Sequence, residues 1–282
     1  MNGEWKRLID KKDKTIWKVK KTHPEYVNII RSIILREIPS LSFDQDDKMD
    51  IVAHRLVLTK EQIAKHIESL PIHYPPTNDE FKIVLDVVNN TQIEQFLTTD
   101  DCMFTLNGKK VDPKYKVPYN IEPMPLYKNQ QIKIVAIAVK GKPKDNAKFK
   151  CGDSSFEAND DQNVFDFWIE SHRKYQTPND ILKIAREILK DMCEEWYKSI
   201  IKELKDENLL EITLPINKNM NQFANLLRYR ILEDPNVKKE IINCKCNNIN
   251  VMKSTIDIYI QRRENSKTNF KQIIRKVLDG IK

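Results

Sequence analysis

Val27-Asn28-Ile29-Ile30-Arg31-Ser32-Ile33-Ile34-Leu35 is one helical phrase, and Ala224-Asn225-Leu226-Leu227-Arg228-Tyr229-Arg230-Ile231-Leu232 is a second rendering of it. Both place Asn three residues before Arg inside an apolar stripe, and both soon reach a proline, Pro39 or Pro235. Each follows a strand-like segment, Thr15 to Lys20 in the first case and Leu209 to Ile216 in the second. A recurrence at so long an offset is no solenoid, whose periods run roughly 20 to 50 residues. It implies two related domains fused in one polypeptide. Two such half-cores tied together imply a pseudo-symmetric internal dimer with an isologous type of interface.

Working outward from the first copy, Pro24 suits a first helical turn, where a missing N–H costs nothing. Val27, Ile30, Ile34 and Ile38 step by three and four along one face, with Ile29 and Ile33 beside them. Ser40 to Asp44 and Met49 to Leu58 read as strands, and Thr59 to Ser69 as a short helix before Leu70-Pro71-Ile72. The texture then changes. Phe81 to Val88 alternates as a strand, and Gln92 to Phe104 leads into a loop with Pro113, Pro118, Pro123 and Pro125. Gln131 to Val139 has a clear period of two, and Val164 to Glu170 is a strand carrying Phe165, Phe167 and Trp168.

Thr177-Pro178-Asn179-Asp180 starts a long helix, with Thr as N-cap and Asp at the positive helix end. Its apolar face reads Ile181, Ile184, Ile188, Met192, Trp196, Ile200 and Leu204, about 40 Å at 1.5 Å per residue. Beyond it lie a strand over 209–216, the second phrase within a helix over 220–233, strands over 240–246 and 254–261, and a helix over 265–281. The last helix presents Phe270, Ile273, Ile274, Val277, Leu278 and Ile281. The expected class is α+β in two layers. A discontinuous first dimerisation domain spans 15–72 and 141–207, an insertion spans 73–140, and a smaller second domain spans 208–282. The internal interface is expected from Ile30, Ile34, Ile188, Trp196, Leu227, Ile231, Phe270, Ile274 and Val277.

The composition bounds the chemistry. With 282 residues, 40% apolar and 32% charged, the chain fits one large or two ordinary domains. Mean hydropathy is −0.59, and no apolar run is long enough to span a bilayer. Met1 to Lys14 is charged without an apolar core, so no secretory signal is expected. Five scattered cysteines, Cys102, Cys151, Cys193, Cys244 and Cys246, fit a reducing compartment. Cys244-Lys245-Cys246 lacks a second pair, so two half-buried thiols on one strand face are expected rather than a metal site.

The net charge of +7 gathers in three clusters. They are Lys6 to Lys21, Lys140 to Lys150, and Arg262 to Lys276. Attraction to nucleic acid or an acidic partner is one reading, and solvated surface the other. A pI of 8.9 leans toward the second.

No phosphate-binding glycine loop, zinc-protease helix or nucleophile elbow occurs. The histidines, His23, His54, His66, His73 and His172, do not pair at ligand spacing. The adjacent acids Asp46-Asp47, Asp100-Asp101 and Asp160-Asp161 read as loop solvation, because neighbours diverge in direction. No catalytic group and no cofactor is expected.

The ordered segments resemble a family. Asn28-Ile29-Ile30-Arg31 with Glu37-Ile38-Pro39 is one, and Val57 to Ala64 continuing to Leu70-Pro71-Ile72 is another. Leu97 to Asp101, Leu126 to Gly141 and Asp145 to Phe149 follow, and Asn225 to Arg228 with Asp234-Pro235-Asn236-Val237 completes the set. Together they resemble the assembly subunits of multisubunit DNA-directed RNA polymerases. These are the third and eleventh subunits of the polymerase II type, the archaeal D and L subunits and the bacterial α N-terminal domains. The layout most resembles fused versions from large cytoplasmic DNA viruses.

That resemblance implies a non-catalytic platform that acts in transcription by docking the two large catalytic subunits and a small subunit of the tenth-subunit type. DNA would be met only through the complex, and no membrane is involved. The setting would be cytoplasmic, in a viral factory, with the virion as a second location. It places Asn28, Arg31, Asn225 and Arg228 near the docking region, where Arg offers planar multi-donor hydrogen bonding. Capping or bridging within each domain is the alternative for these four. Some relatives hold zinc or an iron–sulfur cluster, but His73 to Glu80 is short and has no cysteine, so no metal is expected. The stretch Met220 to Asn225 lacks the glycine usual before the second helix. No bacterial-type DNA-binding domain is expected after Lys282. The rival function, a free-standing basic nucleic-acid-binding protein, is supported by the lysine clusters alone.

Overall fold

The computed structural model describes the chain except residues 1–2, 45–47, 57, 112–114, 116–119, 160–162, 205–208, 216–219, 251–254, 265, 267 and 282. Val57, Pro113, Pro118, Ile216, Asp46-Asp47 and Asp160-Asp161 therefore lie outside the described residues, as do the side chains of Cys246 and of Met220 to Phe223. Two compact units emerge: one of 1–37, 153–170 and 178–282, the other of 38–152 and 171–177. These units follow contacts, whereas the expected domains follow relatedness, and the two divisions run along different seams.

The first unit begins with a hairpin, β1 (Glu4–Asp10) and β2 (Lys14–Lys20), followed by α1 (Pro24–Arg36). Strand β1 lies in the charged segment that precedes residue 15, outside the expected domain bounds. Its residues are exposed except Trp5, which is half-buried, so almost no apolar alternation marks it. The chain returns to this unit through β11 (Gly152–Ala158, which starts in the other unit) and β12 (Val164–Ser171), and the sheet order is β1-β2-β12-β11. Helix α3 (Pro178–Glu203), β13 (Leu209–Pro215), α4 (Met220–Glu233), α5 (Pro235–Lys238), β14 (Ile241–Asn250), β15 (Thr255–Arg262) and α6 (Phe270–Asp279) complete it. These last three strands form a second sheet of order β13-β15-β14.

Setting β1 aside, the two sheets have one plan. A strand leads into a helix, a later pair of strands follows, and a second helix closes the set: β2, α1, β11, β12, α3 and then β13, α4, β14, β15, α6. In each sheet the strand before the first helix pairs with the later member of the strand pair. Helix α1 packs on α3 and α4, and α6 packs on α3 and α4, so the four helices close a ring of contacts.

Strand ends and helix starts follow local chemistry. Within the segment Asp234-Pro235-Asn236-Val237, Asp234 Oδ1 accepts from Asn236 N at 2.9 Å and Val237 N at 3.3 Å and opens α5. Helix α6 begins later than residue 265 because Asn269 is its N-cap, accepting from Lys271 N at 2.8 Å. Along α3 the buried residues are Ile181, Leu182, Ala185, Leu189, Cys193, Trp196 and Ile200. The expected Ile184, Ile188 and Met192 are half-buried beside them. The buried stripe is thus turned by one residue, because α3 meets β2 as well as α1 and α6.

The second unit is organised around β10 (Gln130–Gly141). One edge of β10 pairs with β5 (Phe81–Asn89), the other with β4 (Met49–His54) and then β3 (Ser40–Phe43). Strands β7 (Cys102–Leu106) and β8 (Lys109–Lys110) extend the sheet beyond β5, and β6 (Gln95–Thr98) pairs with β9 (Asn120–Leu126). The expected proline loop is thus partly strand: β9 has only one partner, and prolines fit where no further ladder bond is required. Helix α2 (Lys60–Ser69) starts with a capping box, Thr59 Oγ1 accepting from Gln62 N while Gln62 Oε1 accepts from Thr59 N. Its Ile63, Ala64 and Ile67 join Phe43, Phe81, Ile132 and Ile134 in the core. Gly141 is required here, since a Cβ would sit 2.4 Å from the Phe149 ring.

Candidate functional site

The repeated phrase occupies α1 and α4. In α1, His23 caps the helix through Nδ1, which accepts from Glu25 N at 3.3 Å, and Pro24 supplies the first turn. Val27, Ile29, Ile30 and Ile34 are fully buried, and in α4 the matching Ala224, Leu226, Leu227 and Ile231 are buried as well. Both helices therefore turn the same positions inward.

The polar positions do not behave alike. Asn28 and Arg31 are half-buried and close on each other: Arg31 Nε and Nη2 both donate to Asn28 Oδ1, at 3.0 and 2.9 Å. The two side chains thus bridge within one helix. Arg31 O also accepts from Ser154 Oγ at 3.4 Å, which ties α1 to β11. On α4, Asn225 and Arg228 are exposed. Asn225 Nδ2 reaches Glu25 Oε1 at 3.5 Å, a long bond, while Arg228 has no hydrogen bond or ion pair among the described residues.

Two polar clamps join the helix pairs, and neither was legible in the repeat itself. At the first, the His23 and Tyr229 rings lie 3.8 Å apart with an interplanar angle of 33°. Burial lowers the His23 pKa, opposed by the Glu233 charge, and burial raises that of Glu25, opposed by its bond from Asn225. Tyr229 stands where the first copy has Ser32, so the signal was the place at which the copies part. At the second clamp, Arg275 on α6 holds Glu194 on α3 by two bonds of 2.7 and 2.9 Å, with its guanidinium 5.1 Å from the Tyr197 ring centre. Arg230 donates to Gly280 O, tying α4 to the end of α6, and burial lowers its pKa.

Of the expected interface residues, Ile30, Ile34, Leu227, Ile231, Phe270, Ile274, Val277 and Trp196 are buried, and Ile188 is half-buried. Beside the His23 clamp lies a cleft of about 500 Å³ bordered by Tyr26, Tyr229, Arg230 and Glu233. It holds cations and carboxylates in mixture, with no nucleophile and base set against each other. Cys102, Cys151, Cys193 and Cys244 are buried, and no group of three metal-binding side chains occurs among the described residues. No described helix is long and apolar enough to cross a membrane.

The basic clusters are interleaved with acids. Lys6 lies opposite Lys18, and Glu4 opposite Lys20. Across the next ladder Lys18 faces Asp166 and Lys14 faces Glu170. Lys148 meets Asp44 at 3.0 Å and Glu68 at 3.1 Å, and Lys276 lies 3.8 Å from Asp234. In each cluster, lysines are thus set against carboxylates, which interrupts its positive charge.

A family model, the RNA polymerase Rpb3/Rpb11 dimerisation domain, fits residues 18–193, more than half of the chain. That stretch runs from β2 through most of α3 and contains the first copy of the phrase. No curated protein matches the chain.

Proposed function

The chain belongs to the RNA polymerase Rpb3/Rpb11 dimerisation-domain family, and from that membership we propose a fused assembly platform whose two halves dimerise within one polypeptide. Membership makes it a transcription protein of the α/Rpb3/Rpb11 type, a non-catalytic assembly subunit of RNA polymerase. The finer reading is that 15–72 with 141–207 and 208–282 are the two partners, with 73–140 inserted in the first. The platform docks the two large catalytic subunits and a small subunit of the tenth-subunit type. The observation that carries it is the shared strand plan of the two sheets, with α1 against α4 and α3 against α6. Two small sheets each bear helices with more apolar surface than one sheet covers, and pairing those helices removes the excess from water.

Docking is assigned to the face bearing Asn225 and Arg228, which are exposed, while Asn28 and Arg31 brace α1. The work is placed in the cytoplasm, in a viral factory, with the virion as a second location; this rests on the layout of the sequence. The test is co-expression with the two large subunits of its own polymerase, followed by purification through a tag on this chain. A stoichiometric complex is expected, and Arg228→Glu should reduce its yield without changing the melting temperature of the chain alone. A chain that ignores the large subunits but binds duplex DNA, with affinity falling steeply as salt rises, would replace this reading by the nucleic-acid-binding one.

A further inference from the structure

A second cleft, of about 480 Å³, opens between the β1–β2 hairpin and one face of α3, within the first unit. Its floor is apolar: Trp17 and Leu182 are buried, and Trp5 lies edge-on to Trp17 and Phe167, with ring centres at 6.2 and 5.3 Å. Its wall is cationic. Lys183, Arg186 and Lys190 are exposed on successive turns of α3 and line the cleft. None of the three has a carboxylate partner within ion-pair distance among the described residues. Glu187 is the one acid among the lining residues, four positions from Lys183 and three from Lys190. This differs from the interleaved charge of the outer face of the same sheet.

The guanidinium of Arg186 is held in place. It lies 4.8 Å from the centre of the Trp5 ring. Arg7 Nη2 donates to Asn179 Oδ1 at 3.0 Å and pins β1 to the start of α3. An arginine stacked on an indole loses little freedom when a carboxylate arrives, and its fork donates to two oxygens at once.

We infer that this cleft binds an extended acidic polypeptide segment of a partner protein, with carboxylates at alternate positions and apolar side chains between them. The dimensions fit. Asn179 to Lys190 covers about 16 Å of helix, the reach of about five residues of extended chain. Alternate side chains on a strand stand about 6.6 Å apart; Arg186 and Lys190, about 6 Å apart along the helix axis, match one such step, and Lys183, about 4.5 Å from Arg186, falls about 2 Å short of the next. Apolar side chains would settle on Trp5, Trp17 and Leu182. A single-stranded nucleic acid fits less well, because Trp5 already carries Arg186 over its ring and makes T-shaped contacts with Trp17 and Phe167, which leaves it less free to stack on a base. Glu187 in the wall also repels a phosphate backbone. The inference stands on this cleft alone and is independent of the large-subunit docking assigned to α4.

The test uses the full chain and three fluorescein-labelled probes read by anisotropy. One is a heptapeptide with Glu at every second position and Leu or Phe between. The second is its Gln counterpart, and the third is oligothymidylate. The acidic peptide should bind, and the Gln peptide should bind at least about tenfold more weakly. Lys183→Glu with Lys190→Glu should weaken the acidic peptide about tenfold. Lys6→Glu with Lys18→Glu, on the other sheet face, should leave it within about twofold. Circular dichroism of both double variants checks that the fold persists, and neither disturbs the Trp5–Arg186 stack. The inference fails if the acidic peptide does not bind at millimolar concentration, if the two peptides bind equally, or if the cleft reversal has no effect. It also fails if oligothymidylate binds more tightly than the peptide and loses that affinity in the same variant.

Discussion

Helices α1 and α4 carry one phrase in two settings. Their apolar positions agree: Val27 with Ala224, Ile29 with Leu226, Ile30 with Leu227 and Ile34 with Ile231 are all buried. Their polar positions do not, since Asn28 and Arg31 bond to each other while Asn225 and Arg228 are exposed. What the copies share is therefore the packing register, which a helix cannot shift without burying polar groups. What differs is the outward chemistry, which is free to diverge once the stripe is satisfied. Ser32 and Ile33 are buried where Tyr229 and Arg230 are half-exposed and reach His23 and Gly280.

The largest expected effects test the shared register. Ile34→Ala and Leu227→Ala should each cost about 2 to 5 kcal/mol, from lost transfer free energy plus the cavity left behind. Urea unfolding measures this, and a cost at Leu227 below about 1 kcal/mol would mean that α4 is not packed as α1 is.

The next probe is pH at the contact between the copies. His23 has a folded pKa below its ordinary 6.5 because burial disfavours its charge, and its neutral Nδ1 is needed as the cap acceptor. The folded state therefore binds the proton more weakly than the unfolded chain, and stability rises with pH in that range. The contribution is complete above pH 6.5 and is lost as pH falls from 6.5 toward the folded value. Glu25, whose pKa is raised above 4.5, contributes the opposite slope: its share is complete below pH 4.5 and is lost as pH rises. His23→Asn keeps a cap acceptor and removes the titration, so the rise near pH 6.5 should vanish from its thermal midpoints. An unchanged slope would place its origin elsewhere.

A smaller coupling is expected at Arg275 and Glu194. Their side chains are 40% and 33% exposed, so solvent screens the pair and a double-mutant cycle should return only a small favourable coupling despite the two-bond geometry. A value of zero would leave the α3–α6 contact to its apolar residues alone. Smallest of all is the contrast between the arginines. Arg31→Ala should cost about 0.5 to 1.5 kcal/mol through its half-buried bonds, and Arg228→Ala less than about 0.5 kcal/mol in the isolated chain. Equal costs would remove the distinction between a bracing and a presenting copy.

Much of this architecture was readable from residue pattern. The stripes of α1, α4 and α6 lie on their buried faces, and the alternation of β5, β10 and β12 matches their pairing. Three kinds of element escaped. Strand β1 is an edge strand in which only Trp5 is half-buried, so it reads as a charged tail. Strand β11, Gly152 to Ala158, is polar and short of β-branched residues, and neighbours rather than propensity hold it extended. The stripe of α3 was placed one residue off, because Ala185 and Cys193 are small and attract less notice than the isoleucines beside them. At the site, the phrase drew attention to Asn and Arg. The clamps across the helices use His23, Tyr229, Glu194 and Arg275, whose partners lie far off in sequence and have no fixed spacing.

The contact between α1 and α4 is made inside a single polypeptide. Separate chains would associate less as they were diluted, but a tethered pair meets at an effective concentration fixed by the connecting chain. Its unfolding midpoint should then be the same at nanomolar and micromolar protein. Tethering also relieves the two copies of any obligation to be identical. In a homodimer one gene change alters both sides at once, whereas here Tyr229 could replace a serine-like neighbour on one side only. Lopsidedness of that kind lets opposite faces of one body present different chemistry.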